Sequence, residues 1–315
     1  MLTTEHNDLL TRVERDAPMG ELLRNNYWFP AALSCKLERD GAPLRVKLLG
    51  KPFVAFRSTD GRVGFFDEHC PHRRVSLALA RNEDNALRCI YHGWKFGVDG
   101  VVREVPTEPH NQTKFCQRVP LRHYPTREAA GIVWAWLGRD EPKRFPDFEF
   151  MNLPEEQVYS VRQHVRCNWV QDVEGGMDSA HTGILHSHWL KSVGATEVGL
   201  DTAPLYEFEP RKYGFCVAAV RRLPDGNNYI RVNHFVMPWY SFICPEEIPE
   251  GDRLVIMTTP VDDENCIHWS VRYNRFRPLK PSYVNPAEAV AIRWPQSHWR
   301  EVSTTLHRFA DRLRI

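Results

Sequence analysis

No stretch of this chain approaches the roughly 18 consecutive apolar residues that a membrane-crossing helix needs, so no transmembrane span is expected. The N-terminus, Met1 to Gly20, lacks the apolar core of a secretory signal, because acids and bases run all through it. Neither charge is in surplus: 41 Lys+Arg stand against 40 Asp+Glu, a net charge of +1. Without a global basic field, neither nucleic acid nor an anionic membrane is favoured as a partner. A glycine-rich dinucleotide fingerprint is missing, so no nicotinamide or flavin site is expected on this chain. Internal repeats and low-complexity tracts are missing as well. What is left is an ordinary globular composition, 42% hydrophobic and 26% charged over 315 residues, enough for about two domains. Of the eight cysteines, six (Cys35, Cys116, Cys167, Cys216, Cys244 and Cys266) are scattered through apolar or strand-like sequence. They are expected to be reduced thiols of a cytoplasmic protein.

The other two belong to the most informative stretch. Cys70-Pro71-His72 is followed, after sixteen residues, by Cys89-Ile90-Tyr91-His92 and then Gly93-Trp94. Two thiolates and two imidazoles on two loops can hold zinc in a four-coordinate site or a 2Fe–2S cluster with two histidine ligands. Zinc fingers pair Cys with Cys and His with His on one element. Here each loop supplies one of each, so one iron could take both thiolates and the other both imidazoles, which favours the cluster.

From Asn26 to Leu137 the sequence is strand-like, short β-branched and aromatic runs broken by Gly, Asp and Pro. Gly131 to Leu137 is the clearest buried strand. Arg139 to Gln157, with Pro142, Pro146 and Pro154 among many charges, reads as a linker. Beyond it, Val158 to Trp169 alternates as a strand, and further strands are expected at Tyr213–Arg221, Tyr229–Met237, Leu254–Thr259 and Cys266–Tyr273. The reading is an antiparallel sheet with helical insertions, an α+β domain.

A second motif lies in that domain: Asp178-Ser179-Ala180-His181, then His186, with Asn168-Trp169 and Glu174 upstream. Asp178 and His181 are three apart, on one helical face, with Glu174 a turn below. His186 falls about 140° around an ideal helix from His181. For both imidazoles to meet one metal the helix must end or bulge between them, and Gly183 is where a departure costs least. Two histidines and one distant carboxylate make the facial triad of non-haem iron oxygenases. Alone the spacing is weak evidence, since a helix with satisfied polar residues would show it too.

Together the two motifs resemble the catalytic subunit of Rieske non-haem iron aromatic ring-hydroxylating oxygenases, in the phthalate-dioxygenase-like group. The resemblance rests on Cys70-Pro71-His72-Arg73, Cys89 to Phe96, Pro146 to Glu149, Asn168 to Gln171, Glu174 to His181 and Leu185-His186-Ser187. It runs from about Asn25 to Pro281. It implies an α+β fold: an N-terminal all-β Rieske 2Fe–2S domain (26–138), a linker (139–157) and a helix-grip, START-like catalytic domain with a curved antiparallel sheet (158–315). By the same resemblance Cys70, His72, Cys89 and His92 hold the cluster, and His181 and His186 hold a mononuclear Fe(II). Asp178 bridges a cluster histidine of a neighbouring subunit to an iron histidine. The implied partners are a separate flavin and iron–sulfur reductase, O2, a small aromatic substrate and two further copies in a homotrimer. The implied activity is hydroxylation or O-demethylation of an aromatic substrate, an aromatic acid among the candidates.

The family's third iron ligand is a carboxylate on a helix near its C-terminus. Here the match fades after Tyr273 to Leu279, and the end is read as truncated or altered. Pro286 to Ile315 holds only Glu288, Glu301 and Asp311 as acids. Val302, Leu306, Phe309 and Leu313 form an amphipathic stripe, and neither Glu301 nor Asp311 is expected to complete the site. A carboxylated substrate would call for a guanidinium. Arg221, Arg222 and Arg231 are the candidates, with alternation allowing at most one of the first two to face inward. A pure Rieske electron carrier and a relative with an incomplete iron site remain the rival readings.

Overall fold

Three two-residue hairpins organise the N-terminal half. Leu49-Gly50, Asp84-Asn85 and Ala130-Gly131 all have positive φ at both positions, the type I′ geometry whose twist matches that of the flanking strands. The computed structural model describes residues 2–108, 112–119, 121–193, 197–243 and 251–279. Two helices come first, α1 (Thr4–Thr11) and α2 (Pro18–Asn26), followed by β1 (Trp28–Leu33). The hairpins join β2 (Leu44–Leu48) to β3 (Lys51–Arg57), β5 (Arg81–Glu83) to β6 (Ala86–Arg88) and β9 (Thr126–Ala129) to β10 (Ile132–Trp136). With β4 (Val63–Asp67), β7 (Lys95–Gly97) and β8 (Val102–Glu104) they build sheets of order β1-β10-β9, β2-β3-β4 and β5-β6-β7-β8. Helix α3 (Gln112–Arg118) lies beside β8.

The second half begins at β11 (Val158–Val165). Four short helices follow: α4 (Trp169–Met177), α5 (Ala180–Leu185), α6 (Ser187–Val193) and α7 (Glu197–Leu200). Six strands complete it: β12 (Leu205–Arg211), β13 (Gly214–Arg222), β14 (Asn228–Val236), β15 (Tyr240–Ile243), β16 (Arg253–Pro260) and β17 (Cys266–Tyr273). They form one antiparallel seven-stranded sheet of order β11-β17-β16-β15-β14-β13-β12. The strands expected from sequence are present, most with ends moved by at most a residue. The one expected to reach Trp169 stops at Val165, before α4, and neither β12 nor β15 was anticipated. The seven residues of β12 are all exposed and carry two glutamates and Pro210, the composition of a protected edge strand rather than a buried one.

The large sheet has two different faces. On one lies α4: a Cβ on Gly176 would come within 3.1 Å of Ser241 Oγ, so glycine is what lets helix and sheet meet so closely. The other face, with Trp239, Met257 and Trp269, merges with Trp28, Phe29, Trp134 and Trp136 into one core. Phe29 and Trp239 meet at a centroid distance of 5.0 Å. The segment 139–157 joins this core, since Phe150 is fully buried and Phe145 lies edge-on to Trp28 and Trp134. None of the described helices is long and apolar enough to cross a membrane. The stripe at Val302 to Leu313, with Glu301 and Asp311, lies outside the described residues.

Candidate metal centres

Cys70 and Cys89 open two loops of the same backbone design. The Cys70 N–H donates to Val75 O at 2.9 Å and the Arg74 N–H to Cys70 O at 3.0 Å. In the other loop the Cys89 N–H donates to Trp94 O at 2.8 Å and the Gly93 N–H to Cys89 O at 3.0 Å. The fifth residue of each loop, Arg74 (φ 62°) and Gly93 (φ 72°), turns left-handed to close it. Both thiols are buried and interact with each other. Burial pushes the Cys70 thiol up to about 11, against the pull of the His72 and Arg73 N–H groups. A thiolate there needs a nearby cation, which metal would supply.

The histidines lie at the rim. The His72 and His92 rings are 4.4 Å apart, and His72 stacks on Trp94 at 4.6 Å. His92 Nδ1 is buried without a hydrogen-bond partner, the kind of orphaned polar atom that a metal would satisfy. The donors thus form a thiol pair and an imidazole pair. Among the described residues no three His, Cys, Asp or Glu converge as ligands of one ion. Two pairs suit a cluster in which each iron takes two protein ligands, and a single tetrahedral zinc less well.

At the second centre the chain turns twice. Asp178 is the C-cap of α4 (φ −71°, ψ 124°) and so lies outside any helix, which corrects the expectation that it shares a helical face with His181. It caps α5 instead. Its Oδ1 accepts the Ala180 N–H at 2.9 Å, and its Oδ2 accepts the His181 N–H at 3.1 Å and ring Nδ1 at 3.0 Å. The Tyr206 hydroxyl donates to Oδ1 at 3.0 Å. Burial opposes ionisation, yet these four bonds outweigh it and hold the Asp178 carboxyl well below the usual carboxylate range. An ionised acceptor at Nδ1 places the His181 proton there and leaves Nε2 as a lone pair for metal.

His186 ends α5 as its C-cap (φ −97°, ψ 9°), and α6 starts at the next residue. The helix therefore departs at His186 and not at Gly183, as expected from sequence. Gly183 stays helical, and its role is close approach to α7, since a Cβ there would meet Val198 O at 2.8 Å. The break brings the His181 and His186 rings to 5.2 Å. Burial and the neighbouring His181 both lower the His186 pKa, favouring the neutral imidazole a metal binds. Glu174 is exposed and accepts from Gln171 Nε2 at 3.2 Å, apart from this cluster.

Arg221 faces inward and Arg222 outward, as alternation requires. Arg221 is fully buried and fully used: Nη2 donates to Ser179 O at 2.6 Å and Nε to Asp201 O at 3.1 Å. It holds the α4–α5 corner and leaves no fork for a substrate. Arg221→Ala should strand those carbonyls and destabilise the fold by about 2–4 kcal/mol, read as a shift in urea midpoint. Sequence reading missed Tyr206, which lies on the unanticipated β12. It also missed Asp172, whose carboxylate accepts from Thr258 Oγ1 at 2.5 Å and His268 Nδ1 at 3.0 Å. These partners are 86 and 96 residues away, so no local pattern announces them.

Residues 27–125 match the family described as Rieske [2Fe-2S] domain, and residues 135–278 match LigXa C-terminal domain like. The phthalate 4,5-dioxygenase oxygenase subunit of Pseudomonas putida is 42% identical over 84% of this chain and 62% of its own length. The chain carries a Rieske [2Fe-2S] domain followed by a LigXa-C-like domain, and it is similar to phthalate-dioxygenase-like oxygenase subunits. The 3-chlorobenzoate-3,4-dioxygenase oxygenase subunit of Comamonas testosteroni is 38% identical over 87% of this chain and 64% of its own length. A Sphingobium 5,5'-dehydrodivanillate O-demethylase oxygenase subunit is 32% identical over 85% and 62%. The chain thus spans under two thirds of these relatives' lengths. Among solved structures, dicamba monooxygenase bound to 3,6 dichlorosalicylic acid shares the fold at TM-score 0.69 and 20% identity, over 91% of this chain and 88% of that one.

Proposed function

We propose that this chain is the oxygenase component of a multicomponent Rieske system that hydroxylates or O-demethylates an aromatic substrate. It would take electrons from a separate NAD(P)H-dependent reductase. The observation that carries this reading is the Asp178–His181 contact, which supports a tautomer with Nε2 of His181 free to take a metal beside His186. Cys70, His72, Cys89 and His92 would hold the cluster, and His181 and His186 the iron. When bound, the cluster supplies one-electron transfer and the ferrous ion supplies O2 activation. The protein's part is to fix the His181 tautomer through Asp178, favour the neutral His186 imidazole by burial and hold the thiols out of water. We divide the chain accordingly into a cluster domain (26–138), a connecting segment (139–157) and a catalytic domain from Val158 onward, working in the cytoplasm.

Asp178 would link this iron site to a cluster histidine of a neighbouring copy in a trimer. Its side chain is 42% exposed, so one flank is open to a partner. Its carboxylate already accepts four donors, so a fifth from the neighbour would displace the Tyr206 hydroxyl, the one held on an exposed edge strand.

The iron content tests the reading. An intact oxygenase holds about three iron atoms per chain, two in the cluster and one at the histidines. A value of about two, with no iron lost on His181→Ala, would favour a pure electron carrier or an incomplete relative.

For an aromatic acid, Arg231 is the available guanidinium. It shares the α4 face with Tyr206, since Tyr206 pairs with Ala219 and Ala219 with Arg231. That register puts it about 10 Å from Tyr206, two strand spacings away. It is half-buried and has no ion pair among the described residues. Arg231→Leu should raise KM for a carboxylated substrate about 10–100-fold, the loss of one charge-assisted hydrogen bond, and leave the cluster's visible spectrum unchanged.

A further inference from the structure

Cys167 and Cys266 lie where β11 passes into α4. The ladder pairs Val165 with Cys266, and the chain then bends through Arg166 and Cys167 into Asn168, the N-cap of α4. This bend swings the Cys167 sulfur back over β17, to 3.9 Å from the sulfur of Cys266. Cys266 is fully buried and Cys167 reaches solvent in part. Among the described residues no third metal-binding side chain joins them, so the pair has the makeup of a dithiol and not of an ion site.

We propose that Cys167 and Cys266 form a peroxide-reactive dithiol that closes reversibly to an intramolecular disulfide. The proposal does not depend on the oxygenase reading. The thiolate of Cys167 attacks one oxygen of a hydroperoxide. The O–O bond breaks, the sulfur becomes a sulfenic acid, and water or an alcohol leaves. The Cys266 sulfur then attacks the Cys167 sulfur, the S–O bond breaks, an S–S bond forms and a water leaves. The two thiols give up two electrons and two protons, and the peroxide takes them. The sulfurs must close to about 2.05 Å, and the bend at Arg166 and Cys167, outside both ladder and helix, is the part able to yield.

Two features assign the order. Cys167 is the one a peroxide can reach. Its thiol is also held below its usual range by its contact with Cys266, against burial and the Asp172 carboxylate, while Cys266 is raised by the same contact, by its own burial and by Asp172. The exposed partner is therefore the better nucleophile and the buried one the resolving thiol. Cys35, exposed and without a neighbouring thiol among the described residues, serves as an internal control.

The test uses the full, cluster-loaded chain. It is treated with hydrogen peroxide, quenched, denatured in iodoacetamide and mapped by mass spectrometry. The expected result is a linked peptide joining Cys167 to Cys266, with both thiols lost to alkylation and both restored by dithiothreitol. Cys167→Ala should abolish the link and leave Cys266 alkylatable. The proposal is overturned if both cysteines remain alkylatable at peroxide doses that oxidise Cys35, or if Cys167 proceeds to sulfinic acid with Cys266 still reduced. The wild-type map alone decides between these, so a poorly folding variant does not blur the outcome.

Discussion

Asp178→Asn should leave both iron centres loaded and slow electron transfer from the reduced cluster to the second centre by on the order of 10–100-fold. The two side chains have nearly the same shape, so the corner between α4 and α5 survives. What changes is the set of groups the side chain can accept. The carboxylate takes two backbone N–H groups, the Tyr206 hydroxyl and the His181 ring. An amide offers one oxygen and turns an NH2 toward donors. The proton on His181 Nδ1 then loses its reason to stay there, and the ligand nitrogen becomes less basic. Stopped-flow reoxidation of the prereduced cluster, with iron counted before and after, measures this. Iron loss with normal transfer after refilling would show Asp178 to be only a support for its histidine.

The other large effect is expected at the thiols. Cys89→Ser should abolish the red-brown visible chromophore, because an alcohol stays protonated where a thiol yields a ligand anion. The loss should extend to the fold of the N-terminal half. Cys70 and Cys89 sit in a buried cluster with Phe56, Phe66, Leu77, Trp94 and Phe96, and emptying the cradle leaves polar atoms such as His92 Nδ1 without partners. A chromophore that survives Cys89→Ser, or a colourless wild type with one zinc per chain, would sink the cluster assignment.

Some of this was legible in the sequence because the determinants are local. The spacing of Cys70, His72, Cys89 and His92 is a property of two short loops. The alternation that buried Arg221 and exposed Arg222 follows from strand geometry alone. The expectation that His181 and His186 need a broken helix came from 3.6 residues per turn. The rest depends on long-range contacts. A glycine inside a helix is equally a breaker or a point of close approach, and only Val198, fifteen residues on, settles that Gly183 is the second. Arg221 was read for substrate because its acceptors are carbonyls of Ser179 and Asp201, groups every residue owns. Arg74 adopts positive φ with nothing in its side chain to announce it. The carboxylates at Glu301 and Asp311, on which completion of the iron site turns, lie outside the described residues.

The shared aromatic core has a consequence for how such a protein changes its substrate. Trp239, Met257 and Trp269, on the back of the seven-stranded sheet, are the floor on which Trp28, Phe29 and Trp136 rest. The two halves therefore do not behave as exchangeable modules. A chimera joined near Val158 would have to match some of the largest side chains in the molecule across the junction, where a misfit of a few methylenes costs about 1–3 kcal/mol. The opposite face carries no such constraint. New specificity in this architecture is expected to arise by point replacement under α4, at positions such as Arg231, with the two halves inherited together.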